Sequence, residues 1–224
     1  MNDIQQDGIN DNASSAVDSL VYFSIKYKNA LIGAVLVCIL AGVGAYFWIN
    51  RQADRELEAG LKLSSVEQLL QRGDYRTAIK GDREQQGLEK IADSYNGTQN
   101  GEMAALLLGN AWYSLGEPDS ALAAFNTVSM KSPDLQAAVL AGKGACFSKQ
   151  KEYGKAADNF EKASRKADNN ALKASYLGYA AGNLAADGKE AKARDQYREI
   201  IAKYPGSAGA ASAQRSLWKL SGQE

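Results

Sequence analysis

The side chains from which catalytic sites are most often built are scarce in this 224-residue chain. Histidine is absent, which removes the commonest general base near neutral pH and the commonest metal ligand. The two cysteines, Cys38 in an apolar run and Cys146 in a distant helical segment, are not expected to pair. Val35, Leu36 and Val37 precede Cys38 where a lipoprotein cleavage site would need small residues. No Cys, Asp or Glu cluster has metal-ligand spacing, so neither metal nor cofactor is expected. Glu152, Asp158 and Glu161 lie close together, but in a Lys-rich helical stretch where exposed ion pairs form. There is no phosphate-binding loop, no GxSxG elbow and no Cys–His pair. The expectation is a chain that is not an enzyme, with a helical carrier for an enzyme as the alternative. Its 26 basic and 26 acidic residues cancel, which gives no electrostatic reason to expect nucleic acid as a partner.

What remains is recognition by shape, and its elements are helical. Residues 51–224 have few prolines and carry apolar residues at helical spacing. Three segments align: "LLLGNAWYSLGEPDSALAAFNTV", "GKGACFSKQKEYGKAADNFEKA" and "LGYAAGNLAADGKEAKARDQYREI". Each places Ala four residues before an aromatic: Ala121 and Phe125, Ala156 and Phe160, Ala193 and Tyr197. The steps are 35 residues (121 to 156) and 37 residues (156 to 193). Gly109 and Gly144 stand twelve residues before the Ala, with Ala181 in that place in the third copy. Pro133 and Pro205 follow eight residues after the aromatic and end a helix. A disrupted earlier copy begins near Leu57. Within it "LLQRGDYRTAI" repeats the turn, and "KGDREQQG" interrupts the second helix. The segment "YNGTQNGEMAA" after it is echoed by "YPGSAGAASA", where Ser207 can cap a last helix. A stack of repeats needs such a helix to cover its final face.

Ahead of the repeats lies a different element. Ala30 to Ile49 are 20 consecutive residues without a charge, which as a helix reach ~30 Å, the thickness of a bilayer core. Tyr46 and Trp48 stand at its end, as interfacial aromatics do. The long acidic leader argues for a retained span over a cleaved signal, although Ala41, Gly42, Gly44 and Ala45 leave cleavage open. Ala30, Ala34, Cys38 and Gly42 recur every four residues as a stripe that another membrane helix can approach closely. Lys26 and Lys28 on one side nearly balance Arg51, Arg55 and Lys62 on the other, so local charge does not set orientation.

The aligned anchors resemble the tetratricopeptide repeat, a helix–turn–helix unit with small residues at positions 8 and 20, an aromatic at 24 and Pro at 32. The whole layout is similar to the tetratricopeptide-repeat family that includes the ancillary subunit of the bacterial SecYEG translocon, and to related membrane-anchored proteins of Bacteroidota and Chlorobi. The expected fold class is all-α: a single transmembrane helix, then an α-solenoid of about four helix pairs and a capping helix. The expected divisions are a polar tail over 1–28 (disordered over its first dozen residues), the span over 29–50, and a linker helix with an interrupted repeat over 51–100. Three repeats over 101–206 and a capping helix over 207–224 complete the chain.

In such repeats Gly109, Ala121, Phe125, Gly144, Ala156, Phe160, Ala193 and Tyr197 pack the helices together. The resemblance places Leu106, Asn110, Tyr113, Ala145, Ser148, Lys149, Tyr179 and Gly182 on a protein-binding groove, with Ala141 and Gly178 beside them. Only Asn110 and Lys149 fall where a carboxylate clamp would need basic and amide partners. The resemblance also implies a bacterial inner-membrane location with the repeats in the periplasm and the tail in the cytoplasm. It implies other proteins or peptides as partners, SecYEG and exported chains among them. A scaffold for envelope assembly or division, with no translocon contact, is the alternative.

Overall fold

The computed structural model describes residues 21–23 and 25–222, without the side chains of Leu31, Ala34 and Val35. Residues 1–20 and 24 of the tail, with the disorder expected over its first dozen residues, lie outside the described residues. The chain divides into two compact units, 1–53 and 54–224, and the division falls within the 44 residues of α1 (Lys28–Gln71).

In the first unit every described large apolar side chain from Ile32 to Ile49 is exposed, with Leu40 at 70 % and Trp48 at 69 %. Aromatics flank this stretch on both sides. The tilted rings of Phe23 and Tyr27 lie 4.7 Å apart and Tyr46 meets Phe47 edge-on at 6.0 Å. Among the described residues, which leave out three apolar or small side chains of this stretch, no helix is long and apolar enough to cross a membrane. The span expected over 29–50 therefore rests on the full sequence alone. Of the small-residue stripe, Ala30 and Cys38 are exposed, a Cβ on Gly42 would meet nothing, and Ala34 lies outside the described side chains.

The second unit is helical throughout its described length, apart from one isolated bridge between Gly81 and Gln86. After α1 come α2 (Tyr75–Lys80), α3 (Leu88–Ser94), α4 (Gln99–Leu115) and α5 (Pro118–Thr127). Then follow α6 (Pro133–Lys149), α7 (Tyr153–Lys166), α8 (Asn170–Ala186), α9 (Glu190–Lys203) and α10 (Ala208–Ser221). Successive helices from α4 onward pack on one another, and α4 also meets α6, α6 meets α8 and α8 meets α10. Those next-nearest contacts make one layer of α4, α6, α8 and α10, with α5, α7 and α9 behind it.

The repeat is visible at the level of single hydrogen bonds. Gly73, Gly116, Lys151 and Gly188 stand five residues before Ala78, Ala121, Ala156 and Ala193, and all have left-handed φ, from 63 to 88°. At each turn the left-handed residue donates its N–H three residues back and its successor donates five back. The pairs are Gly73 to Leu70 and Asp74 to Leu69, Gly116 to Tyr113 and Glu117 to Trp112. Lys151 to Ser148 and Glu152 to Phe147, then Gly188 to Ala185 and Lys189 to Leu184, complete the set. This is the bond pattern that satisfies orphan carbonyls at a helix end, here used four times.

The second helix of the first pair is broken. α2 ends at Gly81, the chain makes a short loop, and α3 starts after Gly87. A Cβ on Gly81 would lie 2.4 Å from Gly87 N, and one on Gly87 would lie 2.3 Å from Gly81 N. Two glycines are therefore what lets the loop close. Asp82 accepts from the Glu84 and Gln85 amides at 2.8 and 2.9 Å, and these bonds lower its carboxyl below the usual range. The break is tolerated because both fragments deliver apolar side chains to one core: Ala78 and Ile79 from α2, Leu88 and Ile91 from α3. Ala59, Leu63 and Val66 of α1 meet Ala104 and Leu108 of α4 there.

The echo between the two "YxG" segments is structural. Thr98 and Ser207 each donate Oγ to the carbonyl three residues back at 2.7 Å, and each hydroxyl oxygen accepts the amide three residues on at 3.0 Å. Gly97 and Gly206 before them have φ of 80 and 77°. The helices they open, α4 and α10, begin alike.

Candidate protein-binding groove

The shape of the α4–α6–α8–α10 layer follows from missing side-chain atoms. A Cβ on Gly109 would fall 2.5 Å from Phe125 Cε1, and one on Gly142 would fall 2.5 Å from Phe125 Cζ. The ring therefore fits between two successive layer helices only because both are bare at that point. Gly144 stands in the same relation to Phe160 at 3.0 Å. In the third pair Ala181 is fully buried with Ala193 and Tyr197, while a Cβ on Gly182 would lie 3.6 Å from Tyr197 Oη. Ala121, Ala156 and Ala193 are all 0 % exposed, so the second helix of each pair comes close along its Ala.

Along this layer runs an open groove of about 810 Å³. Asn110 and Tyr113 of α4 line it, with Ala141, Ala145 and Ser148 of α6 and Gly178, Tyr179 and Gly182 of α8. The Tyr179 ring is fixed against Phe160 at 5.3 Å between centroids. Asn183, also in the lining, donates Nδ2 to the Tyr179 carbonyl at 2.8 Å.

Two of the expected groove residues are placed elsewhere. Leu106 is buried at 6 % exposure, in a core with Phe125, Met130 and Val139. It sits at groove phase on α4, but Met130 and Val139 from the following loop and helix cover it. Lys149 lies outside the groove lining. Its Nζ donates to the Tyr113 carbonyl at 3.2 Å and stands 4.8 Å from the Tyr113 ring centroid, so it braces the tyrosine.

The groove also has a wall that sequence reading gave only a covering role. Ala208, Gly209, Ser212 and Ser216 of α10 line it, and a Cβ on Gly209 would fall 2.6 Å from Ala174 Cβ of α8. α10 thus occupies the place of a fourth layer helix. The signal was present in the echo of the segment that opens α4.

Carboxylates of consecutive layer helices hold the connections. Glu56 of α1 accepts from Asn100 N at 2.8 Å, Glu102 of α4 from Ser129 N, and Asp134 of α6 from Asp168 and Asn169 N at 2.7 and 3.2 Å. A second concavity, about 430 Å³, lies by α3, α4 and α5, with Glu89, Asp93 and Glu102 in its lining. Elsewhere two of the three candidate acids are in ion pairs, Glu152 with Lys155 and Glu161 with Arg165. Among the described residues no group of three or more His, Cys, Asp or Glu is placed to hold a metal ion. The Cys146 thiol is fully buried, and desolvation pushes it up to about 11, which disfavours the thiolate.

A model of the tetratricopeptide repeat-like domain matches residues 22–220. The chain belongs to the tetratricopeptide repeat-like family. No curated protein and no solved structure matches it. Tetratricopeptide repeat-like domains are in general non-catalytic scaffolds that bind other proteins.

Proposed function

We propose that this tetratricopeptide repeat-like chain is a membrane-anchored interaction module of the bacterial envelope. Its groove receives exported polypeptides or the chaperones that escort them, beside the Sec translocon. The observation that carries the binding role is the groove itself: an open concavity floored by small residues and flanked by Tyr113 and Tyr179. Tyrosines of this kind offer broad amphipathic contact area at low entropic cost.

The anchoring part of the reading is supported by the 20-residue uncharged run from Ala30 to Ile49. Its described apolar side chains are exposed all round the helix, which in water would be a patch large enough to demand a partner. Lipid satisfies every face at once, and the aromatics at both ends suit the two interfaces. The family match begins at residue 22 and so takes in this stretch. The periplasmic side and the translocon come from the resemblance of the whole layout.

In vivo photo-crosslinking from positions 113 and 179 tests the partner. Translocon subunits or exported chains are expected among the captured proteins, and recovery of envelope-assembly proteins alone sinks the translocon part. A C-terminal alkaline phosphatase fusion tests orientation, where an inactive fusion places the repeats in the cytoplasm.

A further inference from the structure

We infer that the groove selects an uncharged, apolar stretch of polypeptide and rejects charged segments and free chain ends. This rests on the reading of the α4–α10 concavity as the protein-binding groove. No residue that lines it carries a formal charge, although 23 % of the chain is Asp, Glu, Lys or Arg. The contrast lies within the same unit, where the smaller concavity by α3–α5 holds three carboxylates. Lys149, the base that a clamp would use, is engaged with the Tyr113 carbonyl and ring.

A ligand charge entering this groove would exchange part of its water shell for neutral lining residues, which penalises it, and Lys149 at the rim is turned to the Tyr113 carbonyl. Neutral groups fare otherwise. A Cβ on Gly178 would meet nothing within 4 Å, so backbone is bare where a ligand side chain would sit. Ala141, Ala145 and Gly182 extend that floor, and Asn110, Ser148 and Asn183 offer neutral partners for a ligand's peptide groups. Apolar side chains on the floor with backbone amides on the flanks is sequence-tolerant recognition. The complementary ligand is an aliphatic-rich segment of a chain that has not folded.

Three photoreactive dodecapeptides with blocked termini test this on the full-length chain in lipid nanodiscs. One is built from Leu, Ala, Ser and Asn, and the other two carry two Glu or two Lys in place of Leu. The neutral peptide is expected to bind about tenfold or more tightly than either charged one, a difference of about 1.4 kcal/mol, and to crosslink to α6 and α8. Gly178→Leu adds a Cβ that meets no atom within 4 Å and brings an apolar side chain to the groove floor. It should weaken neutral-peptide binding about tenfold, leaving the melting temperature unchanged or raised, since Gly is a poor helix former. Capture of the Lys peptide beside Glu89 and Asp93 in place of the groove also supports the inference. Charged peptides bound in the groove as tightly as the neutral one would overturn it while the groove remains a binding site. No peptide crosslinking in the groove, with cellular crosslinks from position 113 unaffected by Gly178→Leu, overturns the groove reading itself.

Discussion

At the scale of single residues the fold depends on atoms that are absent. Phe125 is 1 % exposed and pinned between Gly109 and Gly142, so Gly109→Ala has no free direction in which to move the ring. The substitution gains about 1 kcal/mol of helix propensity, but overpacking of a tight core costs about 1–3 kcal/mol, and a Cβ at 2.5 Å belongs at the upper end of that range. A net loss of about 1–2 kcal/mol in denaturant unfolding is expected. Gly182→Ala, with 3.6 Å to Tyr197 Oη, is the control and should be neutral or stabilising. Equal effects at the two sites would refute the packing role of Gly109. The spacing of Gly109, Ala121 and Phe125 was legible because one contact needs a bare backbone and a ring at fixed helical phase. Gly142 was not, since it serves the ring of the preceding pair and lies two residues off the aligned small position.

At the scale of elements, the turn between paired helices is the most regular feature, and one copy departs from the best residue for it. Gly73, Gly116 and Gly188 supply left-handed φ without a Cβ, whereas Lys151 adopts φ 63° with one. The left-handed region costs a non-glycine residue about 1–2 kcal/mol, partly offset by the greater chain entropy that glycine loses on folding. Lys151→Gly is therefore expected to stabilise by about 0.5–1 kcal/mol, read as a raised denaturation midpoint. The reverse change, Gly188→Lys, should lower it. A neutral or destabilising Lys151→Gly would mean that the lysine side chain makes a contact worth more than the strain. The turn offset was readable from "LGEPDSA", "QKEYGKA" and "DGKEAKA". The interruption was also readable, from "KGDREQQG". What the sequence did not reveal is that Gly81 and Gly87 touch backbone to backbone, because such an approach depends on how the loop closes in three dimensions.

At the scale of the whole repeat unit, stability passes from neighbour to neighbour, as among the described residues α4 to α10 do not pack beyond the next layer helix. Leu106 illustrates what this hides from sequence: helical phase put it on the groove, and the neighbouring pair's Met130 and Val139 decided otherwise. α10 illustrates the converse, since its packing on both α8 and α9 makes it cover and groove wall together. A chain ending after Gly206 would uncover Ala174, Tyr197 and Ile200, now at most 5 % exposed, and each fully buried large apolar side chain is worth about 1.5–3 kcal/mol. It would also delete the Ser207 cap of α10 and that helix's share of the groove. Hydrogen exchange on this truncated chain should show lost protection in α8 and α9, with α2 to α5 protected as before. Their core, built on Ile79, Leu88 and Ile91, shares no residue with the one that α10 closes. Uniform loss of protection from α2 to α9 would instead show a single cooperative block, in which binding in the groove would be felt as far as the broken helix pair.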